Sequence, residues 1–207
     1  MLSKGFVVAI EGIDGAGKTT QANMLYSYLK SKGIDTILSK EPTESVYGRK
    51  IRELAQGQRE STHPLEEYQL FVQDRKLHVE NVIKPALAEK KIVILDRYYF
   101  STMAYQGAIG LDPIAIRAEN EKFCPIPEIV FLVMISPELG LGRIREGRKE
   151  TPNAFEHQEN LKKVAAIFNH LNSPVIERIE GTASIEQVHR TMITRVDALI
   201  ATYVSQI

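Results

Sequence analysis

Residues Gly12-Ile13-Asp14-Gly15-Ala16-Gly17-Lys18-Thr19 follow the pattern G-x-x-x-x-G-K-[ST], and their surroundings decide the fold. Directly before them, Phe6-Val7-Val8-Ala9-Ile10 is an unbroken apolar run that reads as a buried strand. Directly after them, Thr20 to Lys32 carries Ala22, Leu25, Tyr26 and Leu29 at helical spacing. Strand, glycine-rich turn and helix in that order make a phosphate-binding loop. The glycines let consecutive backbone N–H groups converge on one anion, and the helix N-terminus adds partial positive charge. In such a loop Gly12 to Thr20 wrap the phosphates of a nucleoside triphosphate. Lys18 reaches the β- and γ-phosphates, and the Thr19 hydroxyl holds Mg²⁺.

Working outward, four further apolar runs read as core strands: Ile34 to Leu38, Ile92 to Leu95, Ile129 to Ile135 and Val175 to Ile179. Helical patterns lie between and after them, at Pro64 to Lys90, Ser101 to Gly107, Pro113 to Phe123, Pro137 to Arg145, Glu159 to Leu171 and Ser184 to Val204. The alternation predicts an α/β fold, a five-stranded and mainly parallel sheet with helices on both faces. Gly57 to Pro64 reads as a polar loop. No linker, repeat or low-complexity tract divides the chain, so residues 1–207 are expected to form a single domain. Within it, Arg143 to Phe155 carries Arg143, Arg145, Arg148 and Lys149 followed by Thr151-Pro152-Asn153-Ala154. Pro152 argues against one unbroken helix, and the stretch reads as a lid whose arginines close over phosphates.

Composition narrows the partners. Over 207 residues the chain is 43% apolar and 25% charged, with 26 basic and 26 acidic residues. A balanced charge leaves no basic footprint for a nucleic-acid polymer, so an anionic substrate must be drawn by a local cluster. Cys124 is alone, which excludes an internal disulfide and a thiolate zinc site. The five histidines are scattered without metal-ligand spacing. The longest apolar run has seven residues, far short of the roughly 20 that span a bilayer. The five-residue run before Glu11 is too short for a secretory signal, and a cytoplasmic location is the expectation.

A phosphate loop serves motors, GTP switches and kinases alike. The chain lacks an N-K-x-D guanine-reading motif and the extra domains of a motor. Asp96-Arg97-Tyr98 ends the strand Ile92 to Leu95, and the carboxyl ends of parallel strands face the ligand crevice. Asp96 is therefore placed to engage Mg²⁺ directly or through water, and Arg97 to grip a phosphate. Phe71 and Arg75 stand four apart on one helix, an aromatic plane and a guanidinium suited to a nucleobase. Ser101 and Tyr105 repeat that spacing just after Arg97.

Taken together, Glu11 to Thr20, Glu41-Pro42-Thr43, Leu70-Phe71 with Asp74-Arg75, Asp96-Arg97-Tyr98, Ser101 and Ala104-Tyr105-Gln106-Gly107 resemble the thymidylate kinases in order and spacing over the whole chain. The resemblance implies ATP- and Mg²⁺-dependent phosphorylation of dTMP to dTDP. It implies that Phe71 stacks the thymine, that Arg75 bonds its carbonyl, and that Tyr105 lies beneath the sugar and disfavours a ribose 2′-hydroxyl. It further implies that Arg97 bridges the two phosphates and that Arg52 also holds the acceptor phosphate. By the same resemblance Asp14, Glu41, Pro42, Ser101 and Gln106 are expected to complete the acceptor site. Arg143 joins the ATP-binding set, and Lys18, Arg97, Asp14 and Arg148 are the expected catalytic groups. Family members are commonly homodimers.

The chain also departs from the common pattern. Some members carry an arginine in the phosphate loop where Gly15 stands, and others supply arginine from the lid; this chain follows the second pattern. The lid often reads Asp-Arg-Phe-Glu, whereas here it reads Asn153-Ala154-Phe155-Glu156, so either Arg148 or Arg145 stands in for the missing arginine or the lid contributes less. Thr102 replaces an asparagine of many bacterial members. A kinase for another nucleoside monophosphate or a nucleoside, and a non-catalytic nucleotide-binding protein, are the alternatives.

Overall fold

The apolar runs become a sheet whose inner strands are buried on both faces. In the computed structural model, which describes residues 2–58, 62–148, 155 and 158–204 (of 58, 147 and 148 the backbone alone), five parallel strands lie in the order β2-β3-β1-β4-β5. They are β1 (Phe6–Glu11), β2 (Thr36–Lys40), β3 (Ile92–Asp96), β4 (Ile129–Met134) and β5 (Ile176–Glu180). Alternation sends Val7 and Ala9 of β1 to one face and Phe6, Val8 and Ile10 to the other. The first face is covered by α3 (Pro64–His78), α5 (Tyr99–Gly107) and α8 (Gln158–His170), through Val72, Tyr99 and Phe168 among others. The second is covered by α1 (Lys18–Ser31) and α9 (Ile185–Tyr203), through Leu25, Leu29, Met192 and Val196. The α/β expectation of a parallel sheet with helices on both faces is met. No described helix is long and apolar enough to cross a membrane.

The largest departures from the expected helices are three. The predicted helix Pro64 to Lys90 is α3, then a wider π turn at Val79–Ile83, then α4 (Lys84–Ala88). Pro85 explains the break, because it has no N–H for the carbonyl four residues back and its ring crowds that carbonyl. A helix the sequence hid, α2 (Val46–Glu53), follows β2. It is only eight residues long and its buried face includes Gly48, a poor helix former, while Ser45 caps it by accepting from the N–H groups of Tyr47 and Gly48. Finally α7 (Pro137–Arg148) runs three residues beyond Arg145, so the first part of the expected lid is helical. Residues 149–154 lie outside the described residues, as does the Arg148 side chain. The short α6 (Pro113–Asn120) completes the set.

The topology sets the site. Since β1 and β3 are neighbours, the loop after each opens at the same end of the sheet, and the Arg97 N–H donates to the Ile10 carbonyl at 3.1 Å. The strand order reverses around this pair, successive connections leading to opposite edges of the sheet, which is where open α/β sheets hold ligands.

Candidate active site

The phosphate loop turns from β1 into α1 through Gly17, which caps the helix at φ 91°, a left-handed conformation costly for any residue with a Cβ. Gly15 (φ +79°) is needed for a second reason: a Cβ there would meet the Gly140 carbonyl oxygen of α7 at 2.2 Å. A loop arginine at this position would therefore have to push α7 away, a physical reason for the glycine that the sequence comparison noted. Lys18 is buried, and its Nζ donates to the Ile13 carbonyl at 2.8 Å. Burial and the charge of Arg97 bring its ammonium down to about 8, against the pull of Asp14, Asp96 and Glu11. The Thr19 hydroxyl donates to Asp96 Oδ2 at 2.5 Å, so the loop and the end of β3 present two hard oxygens at one point.

Arg97 is the hinge of the arrangement. At φ 73° its backbone is left-handed, which turns the side chain back across the loop. Its Nη1 donates to the Gly12 carbonyl at 3.2 Å and to Ser101 Oγ at 2.9 Å, and its Nη2 to Asp14 Oδ1. The Tyr105 hydroxyl donates to Asp14 Oδ2 at 2.7 Å. Burial would push the Asp14 carboxyl up, but Arg97 and Lys18 outweigh it and hold the group at about 2.

Behind Arg97 lies Glu11, wholly buried at the end of β1. It accepts from the Tyr98 N–H at 2.8 Å, the Ser101 N–H at 3.2 Å and the Ser101 hydroxyl at 2.5 Å, closing the N-terminus of α5. Burial pushes its carboxyl up to about 7 despite those donors and Arg97. Between the ordinary glutamate value and about 7 the folded chain keeps a proton that the unfolded chain has released. Stability should therefore fall as pH rises through that window, by about 3 kcal/mol at most, counting about 1.4 kcal/mol per unit. Glu11→Gln, whose amide fits the same donors once the Ser101 hydroxyl turns, should flatten this fall. Thermal melts of parent and variant at about pH 5 and about pH 7.5 check it, and parallel pH trends would remove Glu11 as the cause.

Two cavities open from this centre and share Asp14 and Arg97. The larger, about 490 Å³, is lined by the loop from Asp14 to Thr20, by Asp96, and by Arg143, Gly181 and Ala183 on its far side. Arg143 is held there by the carbonyls of Gly15 at 3.5 Å and Gly181 at 3.1 Å. The smaller, about 190 Å³, brings together Pro42, Arg52, Phe71, Ser101, Tyr105 and Gln106. Two residues expected in the acceptor site, Arg75 and Glu41, do not line it. Arg75 is 1% exposed and does not line this cavity. Its guanidinium donates to Glu41 Oε2 at 2.8 Å, to Asn120 Oδ1 at 2.7 Å and to Thr102 Oγ1 at 2.8 Å. Glu41 is thereby a buried partner of Arg75, and also of His78 at 3.0 Å, while lining the edge of the larger cavity.

The structure adds residues that the sequence did not single out as ligands. Thr102 lines the smaller cavity as the last link of the Arg75 network, and accepting from Arg75 leaves its own proton to point elsewhere. Phe155 stands edge-on to Phe71 and Tyr105, with centroids 6.5 and 6.2 Å away, and closes the mouth between them. Its place in the lid motif was the available signal. Gly181 and Ala183 follow β5 and had none. Among the described residues Gln106 is telling: its Nε2 donates to Glu67 Oε1 at 2.8 Å, whereas its Oε1 is buried with no partner. A buried acceptor left open at a cavity wall suits an N–H donor on a ligand. Two anions lying in the two cavities would meet end to end at Arg97.

Comparison with known proteins agrees with this arrangement. A family model described as Thymidylate kinase matches residues 10–192. Over 196 residues the chain is 46% identical to a thymidylate kinase of Desulfotalea psychrophila, covering 95% of this chain and 96% of that one. It is 46% identical over 186 residues to that of Xanthomonas campestris pv. campestris, covering 90% and 80%, and 45% identical over 184 residues to that of Xylella fastidiosa, covering 89% and 83%. The matched span takes in every residue that lines the two cavities, and the chain belongs to the thymidylate kinase family.

Proposed function

We propose that this chain transfers the γ-phosphoryl group of ATP to the 5′-phosphate of dTMP, giving ADP and dTDP. The observation that carries the reading is the junction of a phosphate-loop cavity and an aromatic cavity at a single half-buried arginine, Arg97. ATP occupies the larger cavity with its phosphates along Gly12 to Thr20 and its base near Arg143. In the smaller cavity Phe71 stacks the base, Gln106 Oε1 accepts its N3–H, and Tyr105 underlies the sugar. Arg52 and Arg97 take the acceptor phosphate, with Ser101 and Asp14 fixing Arg97. Pro42 supplies a wall. Arg75 and Glu41 serve the base through Thr102, whose hydroxyl points its proton at the O4 carbonyl.

Thr19 and Asp96 offer the hard oxygens that Mg²⁺ prefers, and the absence of any denser cluster of acidic or histidine ligands among the described residues suits an ion held largely by phosphates. Bound there, Mg²⁺ neutralises charge on the transferring phosphates. The protein itself supplies alignment and fixed cations, Lys18 and Arg97, with Arg148 as the lid's contribution. Lid closure keeps water from the phosphoryl group. The family resemblance supports a cytoplasmic homodimer whose partners are small nucleotides.

An acceptor panel tests the reading. With ATP and Mg²⁺, ADP release should be fastest with dTMP and fall through dUMP to UMP, CMP, AMP and GMP. N3-methyl-dTMP, which lacks the donor for Gln106, should be used roughly 10²-fold less efficiently. ADP release that ignores the acceptor would overturn the reaction, and full activity with the N3-methyl compound would remove Gln106 from base recognition.

A further inference from the structure

Asp74 sits on α3 between Phe71 and Arg75, is 1% exposed, and lines neither cavity. Its Oδ1 accepts from the hydroxyls of Thr43 and Ser45 at 2.5 and 2.6 Å, and its Oδ2 accepts from the Thr43 backbone N–H at 2.8 Å. Each donor belongs to the turn that leads from the cis Glu41–Pro42 bond into α2. Ser45 then caps α2, and the carbonyls of Pro42 and Thr43 accept from Arg52 Nη1 at 3.2 and 2.8 Å. The helix that carries Phe71 is thus tied through one carboxylate to the opposite wall, which carries Pro42, Ile51 and Arg52.

From this junction we infer that Asp74 is a positioning residue for the acceptor: it sets the span between Phe71 and Arg52 and so the seat of the acceptor phosphate. The inference rests on Arg52 being a phosphate ligand. A carboxylate is required because the hydroxyl oxygens it meets are already acceptors, Thr43 Oγ1 from the Ser45 N–H and Ser45 Oγ from two helix N–H groups. An amide at position 74 would turn its NH₂ toward oxygens with little capacity left or toward the Thr43 N–H. Gly48 meets the same junction from α2, where a Cβ would stand 1.9 Å from the Thr43 carbonyl oxygen and 3.0 Å from Asp74 Oδ1. Gly48→Ala should open the junction even though alanine favours a helix.

The test is a set of steady-state constants for Asp74→Asn, Gly48→Ala, Arg52→Ala and the Asp74→Asn/Arg52→Ala pair. Both junction variants should raise KM for dTMP roughly 10-fold, as expected for loss of hydrogen bonds to a charged group, with KM for ATP within about twofold of the parent. The pair should be no more than about twofold worse than Arg52→Ala alone, because the two act through one ligand. Losses in kcat and Tm with both KM values unmoved would make Asp74 merely structural and overturn the inference. If Arg52→Ala leaves KM for dTMP unchanged, the phosphate role of Arg52 fails instead, and the inference built on it fails too. Should Asp74→Asn not fold, Gly48→Ala decides alone by the same split.

Discussion

Lys18→Ala should lower kcat by roughly 10²-fold or more, as for loss of one preorganised charge at a reacting group. The reason lies in what the side chain does before any nucleotide arrives. Its ammonium is buried and leans on the Ile13 carbonyl, so it is already placed in the loop rather than recruited from solvent. Keeping it there is costly, since burial and Arg97 bring it down to about 8 from the ordinary lysine value near 10.5. The sign of the linkage follows. Between about pH 8 and about pH 10.5 the unfolded chain holds a proton that the folded chain has lost, so nucleotide-free stability gains from rising pH there. Below about pH 8 the penalty is fully present, on the order of 3 kcal/mol at most. The variant should accordingly turn over far more slowly yet be at least as stable as the parent at about pH 7.5, and it should lack the parent's relative gain toward about pH 9.5. Activity and thermal melts on the same preparations separate this from misfolding. A variant that turns over near the parent rate would remove Lys18 from the mechanism.

Much of this was written in local sequence. The stretch Phe6 to Lys32 carries strand, turn and helix signals that agree, and the structure has β1 at Phe6–Glu11 and α1 from Lys18. The inner strands were legible because burial on both faces demands unbroken apolar runs. The edges were less so: β2 and β5 are half exposed, and their limits moved by one or two residues toward polar positions. The π turn at Val79–Ile83 was signalled by Pro85, but a wide turn and a straight helix share nearly the same apolar period.

What local pattern could not convey is which polar groups spend themselves on one another. Phe71 and Arg75 point the same way along α3, as spacing alone requires, yet Phe71 reaches the cavity and Arg75 stops behind it. The difference is set by Glu41, Thr102 and Asn120, which come from three separate elements and meet only in the folded chain. The same holds for α2. Its apolar face is short, with Gly48 and Ile51 buried, and the helix is further held by Ser45 and by Asp74 from a distant helix, so local pattern alone did not announce it. Gly15 is the converse case, where a single letter in the sequence marks a place at which an added Cβ would stand 2.2 Å from the Gly140 carbonyl oxygen, and only the position of α7 explains it.

Arg97→Ala should be the more damaging change at the junction, with kcat falling roughly 10³-fold, the scale of an arginine that meets transition-state charge in phosphoryl transfer. Arg97 cannot be replaced in function by a neighbour, because its guanidinium is held from four sides: by Gly12, Ser101 and Asp14, with Tyr105 beneath it at 5.1 Å. Its loss also frees Asp14. Burial alone would raise that carboxyl, and Arg97 is the foremost charge holding it at about 2, so in the variant it should titrate at higher pH. The residual activity of Arg97→Ala should therefore decline on the acid side at a pH where the parent is still flat. Arg97→Lys keeps a cation but not the planar fork that spans Ser101 and Asp14, and it should recover part of the acid-side profile while regaining only about tenfold in kcat. The check is kcat against pH for the three proteins, from about pH 5 to about pH 8. A turnover in Arg97→Ala within tenfold of the parent, or an acid limb unmoved by the substitution, would mean that the two phosphates do not meet at this residue.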